Sequence, residues 1–260
     1  MSMENIIYQK ENGLVTITLN RPEKFNSFIR PMALDMQKCL DEAGEDESVR
    51  CVMITGAGKA FCAGQDLIEA TSPTGPQMTK IVEEHYNPII MKIRHLEKPV
   101  IAAVNGVAAG AGANIALSCD IVVASGTASF IQAFSKIGLI PDSGGTFFLP
   151  RLIGWQKASA IMMLGDKISA DEAEQMGMIY KVFPDNIFWE SVHKLAESLA
   201  YMPTYGLALT KKALNESLMN DLVTQLAVEE RYQTLAGHSY DYQEGTKAFL
   251  EKRSPVFKGI

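Results

Sequence analysis

A single acid, Asp142, interrupts the apolar and glycine-rich run KIGLIPDSGGTFFLPR (residues 136–151). Two chemistries suit a carboxylate in this company. Apolar neighbours strip it of water, raise its pKa and fit it to take and return a proton near neutrality. Followed by Ser-Gly-Gly-Thr, it suits better, on the residues alone, the N-cap of a helix, where backbone amides would hold it charged. The two roles pull its pKa in opposite directions, so the direction of the side chain decides between them. Two further segments put small residues straight after apolar runs: GAGKAFCAGQDL (56–67) and NGVAAGAGANIALSCD (105–120). Turns of this kind let backbone N–H groups approach a ligand, and the start of a helix, as in the second segment, points unsatisfied donors outward. The same small residues also serve tight strand–helix packing.

Other chemistries are excluded by spacing. Phe61 and Ile115 stand where a dinucleotide-binding turn needs its third glycine, and no phosphate loop or nucleophile elbow is present. The four cysteines (Cys39, Cys51, Cys62, Cys119) and four histidines are scattered without metal-ligand spacing, so no metal is expected. Cys62 has no His–Asp partner nearby and reads as a small buried hydrophobe. His85 and Tyr86 fit a pocket wall or surface better than acid–base work. Phe134, Phe147 and Phe148 suit either a pocket for a flat ring or the core. A formal charge of −6 on 260 residues argues against nucleic-acid or membrane-surface binding, which need extended basic patches. The first ten residues lack the apolar stretch of an export signal, and 99–119 is broken by Asn105 and three glycines; a cytoplasmic protein with reduced thiols is expected.

The elements that must position these residues follow from pattern. IIYQKENGLVTITLN reads as a hairpin turning at Asn12-Gly13. Met32, Met36, Cys39, Leu40 and Ala43 fall on one face of a helix. CVMITG, PVIAAVNG and IVVAS are short apolar strands separated by helical runs, one of which Pro88 should kink or divide. That alternation predicts an α/β core. From Trp155 the chain turns helical, with Ser169 and Glu172 forming a capping box. Residues 1–200 are expected to carry the core and the site, and 201–260 a helical C-terminal region. Leu214, Leu218, Leu222 and Leu226 make an apolar stripe there, expected to pack within the chain, with subunit contact as the alternative.

RPEKFNSF, TGAGKAFCAGQDL, KPVIAAVNGVAAGAGANIALSCDIVVAS and GLIPDSGGTFFLPRLIG, in this order, resemble the enoyl-CoA hydratase/isomerase (crotonase) superfamily across essentially the whole chain. The runs AFSKIGLIPDSGGT, VNGVAAGAGA, HYNP and SYDYQEGTKAFLEKRSP are closest to its branch acting on ring-epoxidised phenylacetyl-CoA. The resemblance implies a spiral of ββα turns, a C-terminal helical region that drives trimerisation, and a homotrimer or dimer of trimers. It implies an acyl-CoA substrate whose thioester oxygen is held by the backbone N–H groups of Gln65 and Ala111 while an enolate forms. CoA contacts are implied at Lys24, Ala63, Gln65, Asp66, Leu67 and Lys258, the last from the tail of this or a neighbouring subunit. The Gln65 side chain itself need not matter in that scheme, and Arg21 is expected to support its loop. No separate cofactor is implied, CoA being part of the substrate.

The departures narrow the reaction. Hydratases of the superfamily use two glutamates, and the matching positions here are Asn114 and Phe134. Asp142 remains as the carboxylate that the resemblance places at the reacting end of the thioester. The expectation is a CoA-thioester isomerase, converting the ring epoxide to an oxepin or shifting a 3-enoyl double bond to the 2-position. An enoyl-CoA hydratase and a non-catalytic acyl-CoA-binding homologue stand as alternatives.

Overall fold

The computed structural model describes residues 4–260; the first three residues of the stretch read for an export signal lie outside it. The chain opens with the hairpin of β1 (Ile6–Glu11) and β2 (Leu14–Leu19), paired from Ile6 with Leu19 to Glu11 with Leu14. Asn12 and Gly13 both take positive φ, 49° and 79°, as a two-residue turn matched to strand twist requires. The predicted helix follows at Arg30–Glu45 with Met32, Met36, Cys39, Leu40 and Ala43 buried.

From there the chain repeats one unit: a strand in a large sheet, a short strand in a second sheet, then a helix. β3 (Cys51–Gly56) and β4 (Ala60–Cys62) make the first pair, β5 (Val100–Val104) and β6 (Val107–Ala109) the second, β7 (Ile121–Ser125) and β8 (Ser129–Ile131) the third. With β9 (Lys167–Ser169) and β10 (Lys181–Phe183), the large sheet runs β1-β2-β3-β5-β7-β10 and the small one β4-β6-β8-β9. This is the ββα spiral. All of β3 and β5 is buried, as expected of parallel strands covered on both faces. One apolar core lies between the large sheet, the helices and the small sheet; a second packs Met53, Ile101 and Val123 against the helix Phe188–Ala200. The three-residue strands of the small sheet are too short to show any period and are absent from the sequence reading.

Pro88 divides its segment: residues 81–86 wind as a π-helix, and an α-helix restarts at Asn87–His95 with the proline in its first turn. Ser169 and Glu172 form the expected capping box. The last three helices are Thr204–Ser217, Leu222–Gly237 and Tyr240–Glu251. The first is tied to the core through Lys211, which meets Asp120 at 2.8 Å, while Arg94 reaches both Asp120 (3.3 Å) and Asn215 (3.1 Å). Of the leucine stripe only Leu218 packs in part within the chain. Leu214, Leu222 and Leu226 are 60%, 73% and 54% exposed, because Leu222–Gly237 buries only Val228 and turns its leucines outward. No helix of the described residues is long and apolar enough to cross a membrane.

Candidate active site

Both glycine turns and the Asp142 loop meet at one cavity of about 200 Å³, walled mainly by apolar side chains. Asp142, Gln65, Ala111, Ala63 and Leu67 all line it, with Tyr86 and Phe134. Asp142 is the only carboxylate in its wall among the described residues.

The helix Gly145–Ile153 excludes the capping role for Asp142. It begins three residues after the acid; its N-cap is Gly144, with no side-chain cap, because Ser143 and Gly144 both take left-handed φ (51° and 75°). The carboxylate is therefore free of capping and lines the cavity. Burial pushes its pKa above the usual carboxylate range, opposed by a hydrogen bond that Ser143 Oγ donates to Asp142 Oδ1 (2.9 Å).

Gln65 sits in an isolated bridge with Phe28. The Phe28 N–H donates to Gly64 O (2.7 Å) and the Asp66 N–H to Phe28 O (2.9 Å), which leaves the intervening Gln65 N–H without an acceptor among the described residues. Ala111 is the first residue of the helix Ala111–Ser118, where an N–H has no intrahelical partner. The two segments are held close. A Cβ on Gly64 would lie 3.4 Å from Ala111 N, and one on Gly112 would clash with Cys62 O at 2.4 Å. Two orphan donors thus border the cavity that holds Asp142, and the helix dipole adds to the second of them. Such an arrangement stabilises negative charge developing on a carbonyl oxygen.

The Gln65 side chain is engaged, which sequence reasoning missed. It accepts a hydrogen bond from Tyr86 Oη (2.7 Å) and donates to Glu69 Oε2 (3.0 Å), which in turn accepts the Arg30 N–H (3.2 Å). Asn114 is likewise more than a missing glutamate: its Nδ2 donates to Asp142 O (2.9 Å). No pattern in the sequence signals either bond.

The remaining positions divide. Leu67 and Ala70 of the short helix Leu67–Thr71 face the cavity, whereas Ile68 and Glu69 face a separate groove of about 960 Å³. Lys24 and Asp66 lie on that groove, with Arg21, Arg30 and Lys80. The Asp66 carboxylate caps the short helix through Ile68 N (3.0 Å) and Glu69 N (3.4 Å) and pairs with Arg21 (3.1 Å). Burial alone would raise its pKa; Arg21 and the two amides outweigh that and lower it. Arg21 also holds Ser27 O (2.6 Å), the loop support expected of it. Lys24 makes no ion pair among the described residues. Lys258 is not brought to the site within one chain. Its N–H donates to Asp241 Oδ1 (2.6 Å), and Asp241 also accepts the N–H of Gly259, a residue packed on Arg50 at the far end of β3 from Gly56. A role for Lys258 in the site therefore requires a second copy. Phe147 and Phe148 meet edge to face (5.2 Å between ring centres) outside the cavity. Cys62 is buried beneath the first turn, its thiol pushed by burial up to about 12, and so is inert as a nucleophile.

Comparison with known proteins gives the family. The sequence profile of the enoyl-CoA hydratase/isomerase family matches residues 9–260. The chain is 50% identical over 260 residues to the 1,2-epoxyphenylacetyl-CoA isomerase of Escherichia coli K12, covering 99% of each. It is 43% identical over 259 residues to a probable enoyl-CoA hydratase of Rhodobacter capsulatus, covering 100% of each. The crystal structure of an enoyl-CoA hydratase from Bacillus anthracis superposes with a TM-score of 0.92 at 35% identity, covering 99% of this chain and 100% of that one. This chain, with its ββα spiral and paired orphan amides, belongs to the enoyl-CoA hydratase/isomerase family.

Proposed function

We propose that the protein is a CoA-thioester isomerase that works through an enolate with Asp142 as its acid–base group. The observation that carries the reading is the lone, desolvated carboxylate in the cavity wall, with Asn114 and Phe134 at the two positions where a second or third carboxylate would serve water addition. The thioester oxygen accepts the Gln65 and Ala111 N–H groups, which makes the α-carbon acidic. Ionised Asp142 takes the α-proton. For a 3-enoyl-CoA it returns that proton to the γ-carbon, leaving the 2-enoyl isomer. For 2-(1,2-epoxy-1,2-dihydrophenyl)acetyl-CoA, the same group assists opening of the fused epoxide to the seven-membered oxepin. Both conversions are redox-neutral and conserve every atom, so neither calls for a cofactor beyond the CoA of the substrate. The groove bearing Lys24 is the proposed seat of the CoA phosphates, where the lysine charge favours a polyphosphate. Assembly as a trimer or dimer of trimers is proposed from the outward leucines of the C-terminal helices and from the distance of Lys258 from its own site.

The test is Asp142→Asn assayed with both substrates. Turnover should fall by about 10²–10⁴-fold, the usual worth of a positioned acid–base group; near-full activity overturns the assignment. The 43% identity to a probable hydratase favours one second reading, water addition with Asp142 as sole base. Robust hydration of crotonyl-CoA would select it. Binding of a thioester without exchange of its α- or γ-protons with solvent would instead point to a non-catalytic acyl-CoA-binding protein.

A further inference from the structure

We infer that Asn114 is a positioning residue for Asp142, and that the position demands a neutral amide because it must donate a hydrogen bond to the Asp142 carbonyl. The inference rests on the reading of Asp142 as the acid–base group.

Asn114 and Gln132 are 0% and 1% exposed. Gln132 Nε2 donates to Asn114 Oδ1 (2.7 Å), and Asn114 Nδ2 donates to Asp142 O (2.9 Å). The Asp142 carbonyl can only accept, so the Asn114 atom facing it is nitrogen, and the oxygen left on the other side takes the Gln132 Nε2 donor. Gly145 closes the arrangement from the other side. Its own N–H donates to the same carbonyl (2.8 Å), and a Cβ there would stand 2.4 Å from Asn114 Nδ2. The amide is thus wedged against the start of the helix and has no room to turn.

The Asp142 peptide holds two donors on its carbonyl and enters a turn of two left-handed residues, of which Ser143 is not a glycine. A left-handed serine is an unfavourable conformation and persists only where its surroundings over-determine it. The Asn114 bond is one such restraint. Rotation of this peptide would swing the carboxylate out of its direction into the cavity, so Asn114 acts on the chemistry through the backbone of Asp142. A carboxylate at 114 would set oxygen against oxygen and add a second negative charge behind the base. Position 114 is thereby committed to orientation.

The experiment uses the full chain and the variants Asn114→Asp and Gln132→Leu, with Asp142→Asn as reference. Turnover of a 3-enoyl-CoA is followed across pH, and binding of a saturated acyl-CoA reports the intact fold. Asn114→Asp should lower kcat by about 10–100-fold, the scale of a misplaced catalytic group, while binding of the saturated thioester changes less than about twofold. The acid limb of its pH profile should also move to higher pH, since the new carboxylate opposes ionisation of Asp142. The other titratable groups of the cavity wall, Tyr86 and Lys136, are untouched by the variant. Gln132→Leu leaves the buried Asn114 Oδ1 without its donor, which loosens the hold on the amide, and should lower kcat without moving the acid limb. Wild-type kcat and an unmoved acid limb in Asn114→Asp overturn the inference. Should that variant fail to fold, wild-type kcat in Gln132→Leu overturns it instead. An active Asp142→Asn removes the parent reading, whereas an inactive one beside unaffected Asn114→Asp and Gln132→Leu removes only the positioning role.

Discussion

Gly64→Ala tests the paired amides without touching either of them. Gly64 has φ +89°, and a Cβ there would lie 3.0 Å from Ala109 O and 3.4 Å from Ala111 N. Both neighbours are backbone, in the segment that carries the second orphan amide. Relief by a few tenths of an ångström must therefore move the Ala111 N–H relative to Gln65. The left-handed conformation itself costs an alanine about 1–2 kcal/mol. For a chain of this size that corresponds to a fall in Tm of roughly 2–8 °C. Loss of one preorganised donor typically costs about 10²–10³ in kcat, and a displaced donor a part of that; we expect kcat down by about 10–100-fold. The control is Gly177→Ala: Gly177 has φ +78° and meets only Leu152 O at 3.8 Å, so it shares the strain without touching the site. Initial rates with a 3-enoyl-CoA, read from the absorbance of the conjugated product, and thermal melts of both variants give the answer. Equal falls in Tm with kcat lost only in Gly64→Ala are expected. Wild-type kcat in Gly64→Ala would refute the claim that this strand turn sets the geometry of the amides.

Two further outcomes follow from bonds around the same turn. Tyr86→Phe removes the donor to Gln65 Oε1, a neutral hydrogen bond worth about 0.5–1.5 kcal/mol, and should lower kcat by about 2–10-fold; unchanged kcat would show that the Gln65 side chain is idle. Asp66→Asn keeps a capping oxygen but loses the charge facing Arg21, and should reduce stability by about 1 kcal/mol at pH 7. The folded pKa of Asp66 lies below its unfolded value of about 3.9. Its contribution is therefore complete above that value and lost as pH falls through the folded one, so denaturant melts of the two proteins should converge in acid. A gap that persists unchanged in acid contradicts the ion-pair account.

Local signals carried most of the fold. Asn12-Gly13, the apolar face from Met32 to Ala43 and the Ser169–Glu172 box each specify an element through interactions within a few residues, and all three elements are present. The glycine turns were legible for the same reason: Gly64, Gly110 and Gly112 sit where φ or close approach excludes a side chain. Contacts between distant segments were not legible. The leucine stripe reads the same whether its partner is its own chain or another, and only the folded chain shows that three of its four leucines are left uncovered. Asn114 and Asp142 are 28 residues apart, and their bond arises from the way the helix Ala111–Ser118 meets the loop before Gly145. Read along the chain, Asn114 was only an absence.

Asp-Ser-Gly-Gly is a good capping sequence, and an aspartate used that way would keep its charge at low free energy. The chain gives that place to Gly144, which offers no side chain, and holds a serine in the left-handed region to do so. The displaced carboxylate is raised in pKa by burial, so whatever stability it lends the fold is present at low pH and lost as pH rises through its folded pKa. At neutral pH its ionised form works against the fold. Stability alone would have placed Asp142 at the helix. The left-handed serine, the empty cap and the buried amide behind the loop all serve the opposite placement, and their combined effect is to keep a reluctant carboxylate aimed into an apolar cavity beside two unpaired amides. The left-handed serine and the uncapped helix are unfavourable for folding, and with the bonded amide behind the loop they suit the proton transfer proposed for Asp142.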